Sequence, residues 1–222
     1  MKWNEALYRY YTALQPPPVP DGISWLNPYK QTGVRHILQQ FLEKYYNDTE
    51  RRHLLLGINP GRFGAGVTGV NFTAPRQLQK ECGIIHPFRD QSELSAEFIY
   101  EMIGALGGPT AFYKHYFIGS VCPLGFTRAA KNLNYYDEKD LVEAVEPFIT
   151  DSINQLVQMP FCLDVCYCIG GEKNYKFLSA LNKKYQWFQQ IVSLPHPRFI
   201  MQYRRKQKQE YVELYRRVLT DR

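Results

Sequence analysis

Three observations predict an α/β fold, a three-layer sandwich with a central, mostly parallel four-stranded sheet flanked by helices. The run Leu54-Leu55-Leu56-Gly57 has no polar alternation, which suits a strand buried on both faces. Three further short apolar runs read as strands, and longer segments at helical spacing separate all four, the pattern of parallel strands joined by crossover helices. At 222 residues and 45% hydrophobic content the chain suits one domain, residues 1–222, with a sizeable core.

Trp3, Leu7, Tyr10, Tyr11 and Leu14 stand at helical spacing over residues 2–14, and Pro16, Pro17 and Pro18 end that helix. A second helix is expected from about Gly33 to Tyr46 on the stripe Val34, Ile37, Leu38, Phe41 and Leu42, followed by the first strand. Pro75 suits the first turn of a short helix, and Ser92 or Ser95 opens another that ends near Gly107-Gly108-Pro109. Tyr116 to Val121 reads as the second strand. A long helix from about Asp137 to Val157 is expected to be kinked or divided at Pro147. Val165 to Gly170 is the third strand, Gly171 to Leu181 a helix, Ile191 to Leu194 the fourth strand, and Arg204 to Leu219 the last helix.

Net charge is +6, and from His196 onward eight basic residues face three acidic ones. Arg198, Arg204, Arg205, Lys206, Lys208, Arg216, Arg217 and Arg222 thus carry most of the excess, the electrostatic footprint of a polyanion partner. The five cysteines are odd in number, and no early stretch has the pattern of a secretory leader, so the expectation is a reduced, cytoplasmic protein. No apolar run is long enough to span a bilayer.

Among chemical motifs, Gly64-Ala65-Gly66-Val67-Thr68-Gly69 has the GxGxxG pattern but starts seven residues after Gly57 and does not lead at once into a helix. No Gly-Lys-Ser/Thr follows these glycines, which excludes a Walker phosphate loop. Cys162, Cys166 and Cys168 lie in an apolar strand and read as core thiols. His36, His53, His86 and His115 have no ligand-like spacing. The informative residues follow strand ends: Asn59 and Phe72 after the first, Ser120 and Cys122-Pro123-Leu124 after the second, and His196, between two prolines, after the fourth. A parallel sheet gathers such loops at one edge, where ligands bind.

Gly57-Ile58-Asn59-Pro60-Gly61-Arg62-Phe63-Gly64, with Thr68-Gly69-Val70-Asn71-Phe72, Cys122-Pro123-Leu124 and His196-Pro197-Arg198 downstream, resembles the single-strand-selective monofunctional branch of the uracil-DNA glycosylase superfamily. The resemblance implies a uracil-DNA glycosylase-like fold and a monofunctional DNA glycosylase that hydrolyses the N-glycosidic bond of deaminated bases. In that reading Asn59 positions the hydrolytic water, Phe72 stacks on the flipped base, and His196 hydrogen-bonds the base as its bond breaks. Ile58, Gly61 and Ser120 complete the base site. Arg62, Arg198, Phe199, Ile200, Arg204 and Arg205 face DNA, with Arg198-Phe199-Ile200 in the place of the segment that wedges into the duplex.

Two positions depart from the family pattern. Ser120 replaces an asparagine that reads the Watson-Crick edge of uracil, which resembles a variant bacterial branch and brings xanthine in as a substrate. Ser120→Asn is then expected to raise uracil release. His196-Pro197-Arg198-Phe199-Ile200 also replaces a longer wedge. The reading implies no metal or organic cofactor, DNA of either strandedness as partner, and a monomer. The alternatives are a non-catalytic nucleic-acid-binding module of the same fold, or an enzyme of free nucleosides or nucleotides.

Overall fold

The computed structural model describes residues 2–221, so Arg222 of the basic segment lies outside the described residues. Helix α1 (Trp3–Thr12) leads to strand β1 (Ile23–Leu26), a 3-10 turn (Pro28–Lys30) and α2 (Thr32–Tyr45). Strand β2 (Arg52–Gly57) opens the main sheet and is followed by α3 (Ala65–Thr68), α4 (Pro75–Lys80), α5 (Leu94–Ala105) and α6 (Gly108–His115). Then come β3 (Tyr116–Ser120), β4 (Gly125–Arg128), β5 (Lys131–Leu133), α7 (Lys139–Val157), β6 (Phe161–Cys168), α8 (Gly171–Tyr185) and β7 (Gln190–Ser193). The chain closes with α9 (Pro197–Tyr203), a 3-10 turn (Arg205–Gln207) and α10 (Lys208–Thr220).

The main sheet has the order β3-β2-β6-β7 and every pairing is parallel. Strand β2 is buried at all six positions. Because successive side chains point to opposite faces, that pattern requires cover on both sides of the sheet. The order places β3 on one side of β2 and β6 on the other, so the chain leaves β2 in one direction and returns in the other. A crevice opens beyond the carboxyl ends of the strands at such a point.

Four expectations are corrected. Of the two outcomes expected at Pro147, a kink or a division, division does not occur, since the helix runs in one piece over Lys139–Val157. The proline forfeits about 3 kcal/mol, but Leu141, Val145, Ile149, Ile153 and Leu156 on the same helix are all buried, at about 1.5–3 kcal/mol each. Gly108-Pro109 ends α5 but also starts α6, with Pro109 in its first turn, where a missing N–H costs nothing. The last helix starts at Lys208 rather than Arg204, after a 3-10 turn, and a short helix that the sequence did not announce, α9, precedes it.

The fourth correction is a second, antiparallel sheet, β1-β4-β5, that the sequence reading missed. Its strands are three or four residues long, and its hairpin turns on Ala129 and Ala130, at φ of +47° and +59°. A two-residue hairpin of that hand ordinarily advertises itself with Asn-Gly or Asp-Gly, and two alanines carry no such signal.

Candidate active site

The ladder of the main sheet continues past the strand ends. Val121 N donates to Gly57 O at 3.0 Å and Cys122 N to Ile58 O at 3.0 Å, fixing the loops after β2 and β3 against one another. Above them lies a cavity of about 410 Å³ lined by Ile58, Asn59, Gly61, Phe72, Ser120 and His196, which brings together every base-site and catalytic residue expected from the sequence.

Asn59 is locked by the second sheet. Its Nδ2 donates to Leu133 O at 3.1 Å and more weakly to Pro60 O at 3.4 Å, while its Oδ1 accepts from Tyr135 N at 3.1 Å. A backbone carbonyl on one side and a backbone N–H on the other fix which way the amide faces. Both N–H bonds are occupied, so the one free valence is a lone pair on Oδ1, which can accept a hydrogen bond from a water. The missed hairpin is therefore the support of the amide.

Phe72 forms the opposite wall. It adopts φ +52°, a left-handed conformation rare for a non-glycine residue. Its ring lies across Gly57 so closely that a Cβ there would come within 2.6 Å of it, which accounts for glycine at the end of β2. The Phe72 ring centroid is 6.3 Å from that of His196.

His196 caps α9. Its Nδ1 accepts from Arg198 N at 3.0 Å, and Pro197 supplies the first helical position. The Tyr215 hydroxyl of α10 donates to Pro195 O and holds the preceding turn. Desolvation, reinforced by the Arg198 guanidinium, lowers the His196 pKa from 6.5 to about 4. The imidazole is thus neutral near pH 7, and because Nδ1 is an acceptor its proton resides on Nε2. The side chain is a neutral donor.

A pH dependence follows. In the native state the ring stays neutral down to about pH 4, whereas in the unfolded chain it takes up a proton near pH 6.5. Between these values the unfolded state binds more protons, so His196 contributes stability above pH 6.5 that is lost as pH falls toward 4. In a rate–pH profile of base release His196 should nonetheless contribute no step between pH 5 and 7, because the native donor does not titrate there.

The residues expected from the sequence to face DNA separate. Arg198 and Phe199 line the cavity from α9, joined by Gln202 and Tyr203. Phe199 and Tyr203 stand one helical turn apart, with 42% and 68% of their surfaces exposed and ring centroids 5.7 Å apart. Ile200 is fully buried, which corrects its assignment to the wedge: the segment is a helix rather than a loop, and one turn cannot present 198, 199 and 200 on the same side. Ile200→Ala should destabilise the fold by about 2–5 kcal/mol in urea unfolding and leave the exposed face of α9 as it is. Arg204 lies 5.8 Å from the Phe199 ring, and Arg205 is exposed in the turn after α9. Arg62 flanks the cavity without lining it, its guanidinium stacked 4.4 Å from the Phe63 ring centroid and donating to Ala130 O, where it braces the hairpin. Of the other basic residues, Arg216 pairs with Glu213 and Lys208 with Glu101, each at 2.6 Å.

The sequence reading missed Asn71, Glu93 and Tyr136, all of which line the cavity. Asn71 was in view beside Phe72, but in an extended segment neighbours point to opposite sides. Glu93 accepts from Ser95 Oγ at 2.8 Å at the start of α5, and burial raises its pKa against the opposing pull of Arg198. No sequence signal distinguishes it from other acidic helix starts. The GxGxxG glycines serve packing: a Cβ on Gly66 would lie 2.5 Å from Leu26, and Gly69 sits at φ +73°.

Among the described residues one cluster has metal-ligand chemistry, His53, Cys162 and Asp164, with donor atoms within 4.8 Å of one another. It lies at the amino ends of β2 and β6, away from the cavity, and Cys162 is only partly buried rather than a core thiol. Cys166 and Cys168 are buried, as expected.

Comparison with known proteins agrees with this geometry. The chain resembles the crystal structure of wild-type SMUG2 from Pedobacter heparinus with a TM-score of 0.97 and 44% identity, covering 100% of this chain and 98% of that one. It is 30% identical over 126 residues to the single-strand selective monofunctional uracil-DNA glycosylase of Rattus norvegicus, a match spanning 49% of this chain and 44% of that protein. The chain thus spans less than half the length of that relative. Residues 43–220 match the sequence model of the uracil DNA glycosylase superfamily, a stretch that holds every cavity residue named above, and the chain belongs to that superfamily.

Proposed function

We propose that the protein is a monofunctional DNA glycosylase that hydrolyses the N-glycosidic bond of deaminated bases, uracil and xanthine among them, in DNA. The observation that carries this reading is the pairing of two pre-set groups in one cavity. The Asn59 amide has only its carbonyl lone pair free, and His196 is a neutral imidazole with its proton on Nε2.

A base inside a duplex cannot be reached, so it must be extruded at a cost of a few kcal/mol. Arg198, Arg204 and Arg205 supply phosphate attraction, and the exposed Phe199–Tyr203 pair is placed to fill or stack on the gap, offsetting that cost. Once the base lies on Phe72, cleavage leaves negative charge on the base and positive character on the sugar. His196 Nε2–H stabilises the first, and an ionised Glu93, the carboxylate among the described lining residues, favours the second. An amide does not accept a proton near neutral pH, so Asn59 orients the water rather than activating it, and bond breaking runs ahead of water attack. No lysine lines the cavity among the described residues, which supports hydrolysis without a Schiff base.

The test is release of free base from oligonucleotides carrying uracil or xanthine, in single and double strands. The reading expects released base and a strand that breaks only after alkali. Salt-sensitive DNA binding without release would favour the non-catalytic module, and release from free nucleosides alone would remove DNA as the substrate.

A further inference from the structure

Ser120, at the position where the resemblance implies an asparagine, is tied to a second amide. Its Oγ donates to Asn71 Oδ1 at 2.8 Å, and Asn71 Nδ2 donates to the Tyr11 hydroxyl at 3.0 Å. Asn71 and Ser120 both line the cavity beside Phe72. We propose that Asn71 is the specificity-determining residue that reads the base, its amide replacing the one that position 120 lacks. This rests on the glycosylase reading above and names the class of bases that the site accepts.

An amide offers two N–H donors and two lone pairs. Ser120 occupies one lone pair and Tyr11 one N–H, which leaves one donor and one acceptor for a ligand. Asn71 is only 7% exposed and lies against the cavity, held from behind by two hydroxyls. Its neighbour Phe72 would point the opposite way in an extended chain. The left-handed φ of +52° at Phe72 is the local turn that lets both side chains face one cavity. Such backbone is strained and persists where the surroundings impose it.

A donor beside an acceptor complements a ring carbonyl beside a ring N–H. Deamination creates that edge in uracil, as O4 and N3–H, and in hypoxanthine, as O6 and N1–H, while xanthine keeps the O6 and N1–H of the guanine it comes from. Cytosine and adenine present the reverse, an amine beside a bare ring nitrogen. Turning the amide over to suit them requires the Ser120 and Tyr11 hydroxyls to exchange roles together. The site therefore selects the carbonyl and ring N–H edge that uracil, hypoxanthine and xanthine share rather than one base. Thymine and guanine carry the same edge and are left to exclusion by their methyl and amino groups.

Serine at 120 fits this arrangement because it is short. It is 5% exposed, and with its Oγ 2.8 Å from Asn71 a longer amide there occupies the space that Asn71 needs. Ser120→Asn, which the sequence alone expects to raise uracil release, should instead lower it.

The test is single-turnover base release from oligonucleotides carrying uracil, xanthine or hypoxanthine, with DNA affinity measured alongside. Asn71→Ala should slow release of all three by roughly 10²-fold with DNA affinity unchanged, and Ser120→Ala by roughly 10-fold. If Asn71→Ala does not fold, Asn71→Asp carries the same test, since it keeps the shape and loses the donor. Wild-type rates and base ranking in whichever Asn71 variant folds, with Asn59→Ala inactive, would overturn the proposal and leave the glycosylase reading standing. No release by the wild-type protein would overturn both.

Discussion

Asn59→Ala is expected to slow base release by roughly 10²- to 10⁴-fold while leaving DNA affinity near wild type. The side chain offers the substrate only one unsatisfied lone pair, so its loss removes the orientation of the water and little ground-state binding. The same substitution leaves Tyr135 N and Leu133 O without their side-chain partner, so a loss of stability should accompany it. Asn59→Asp provides the control. A carboxylate still accepts from Tyr135 N and can also take a proton from the water, so it should retain more activity than alanine above about pH 4. Single-turnover rates for the three proteins check this ordering, and equal rates in wild type and Asn59→Ala would remove Asn59 from the chemistry.

The second large effect is expected at His196. Removing a donor aimed at developing charge costs roughly 10²–10³-fold in rate, and His196→Ala also removes the cap of α9, worth about 1 kcal/mol. The two losses can be separated. His196→Asn keeps a capping side chain but is too short to carry a donor to the imidazole Nε2 position. It should match alanine in lost activity and exceed it in thermal stability. Equal stability of the two variants would mean that the bond from Arg198 N contributes nothing to α9, and wild-type turnover in either would mean that His196 does not contact the reacting base.

The parts of this account that were legible in the sequence share a local signal. Leu54-Leu55-Leu56 announces a doubly buried strand by its lack of alternation, and Asn59 and His196 are marked by flanking prolines and glycines at strand ends. The parts that were not legible depend on distant partners. Asn59 is oriented by Leu133 and Tyr135, more than 70 residues on, through a hairpin whose alanine turn has no sequence signature. Ile200 looked available because it follows Phe199, and only the helical phase of α9 buries it. Ser120 looked like a lost amide because Asn71, 49 residues earlier, meets it only in three dimensions. Pro147 shows the reverse case, a strong local breaker overruled by the apolar stripe around it.

The most direct test is the crystal structure of the Asn59→Ala protein bound to an oligonucleotide carrying one uracil. The account predicts the uracil turned out of the strand and lying on the Phe72 ring, with His196 Nε2 within hydrogen-bond distance of a base carbonyl and Phe199 or Tyr203 against the neighbouring bases. A uracil still stacked in the strand, or a base seated outside the cavity bounded by Phe72 and His196, would contradict it.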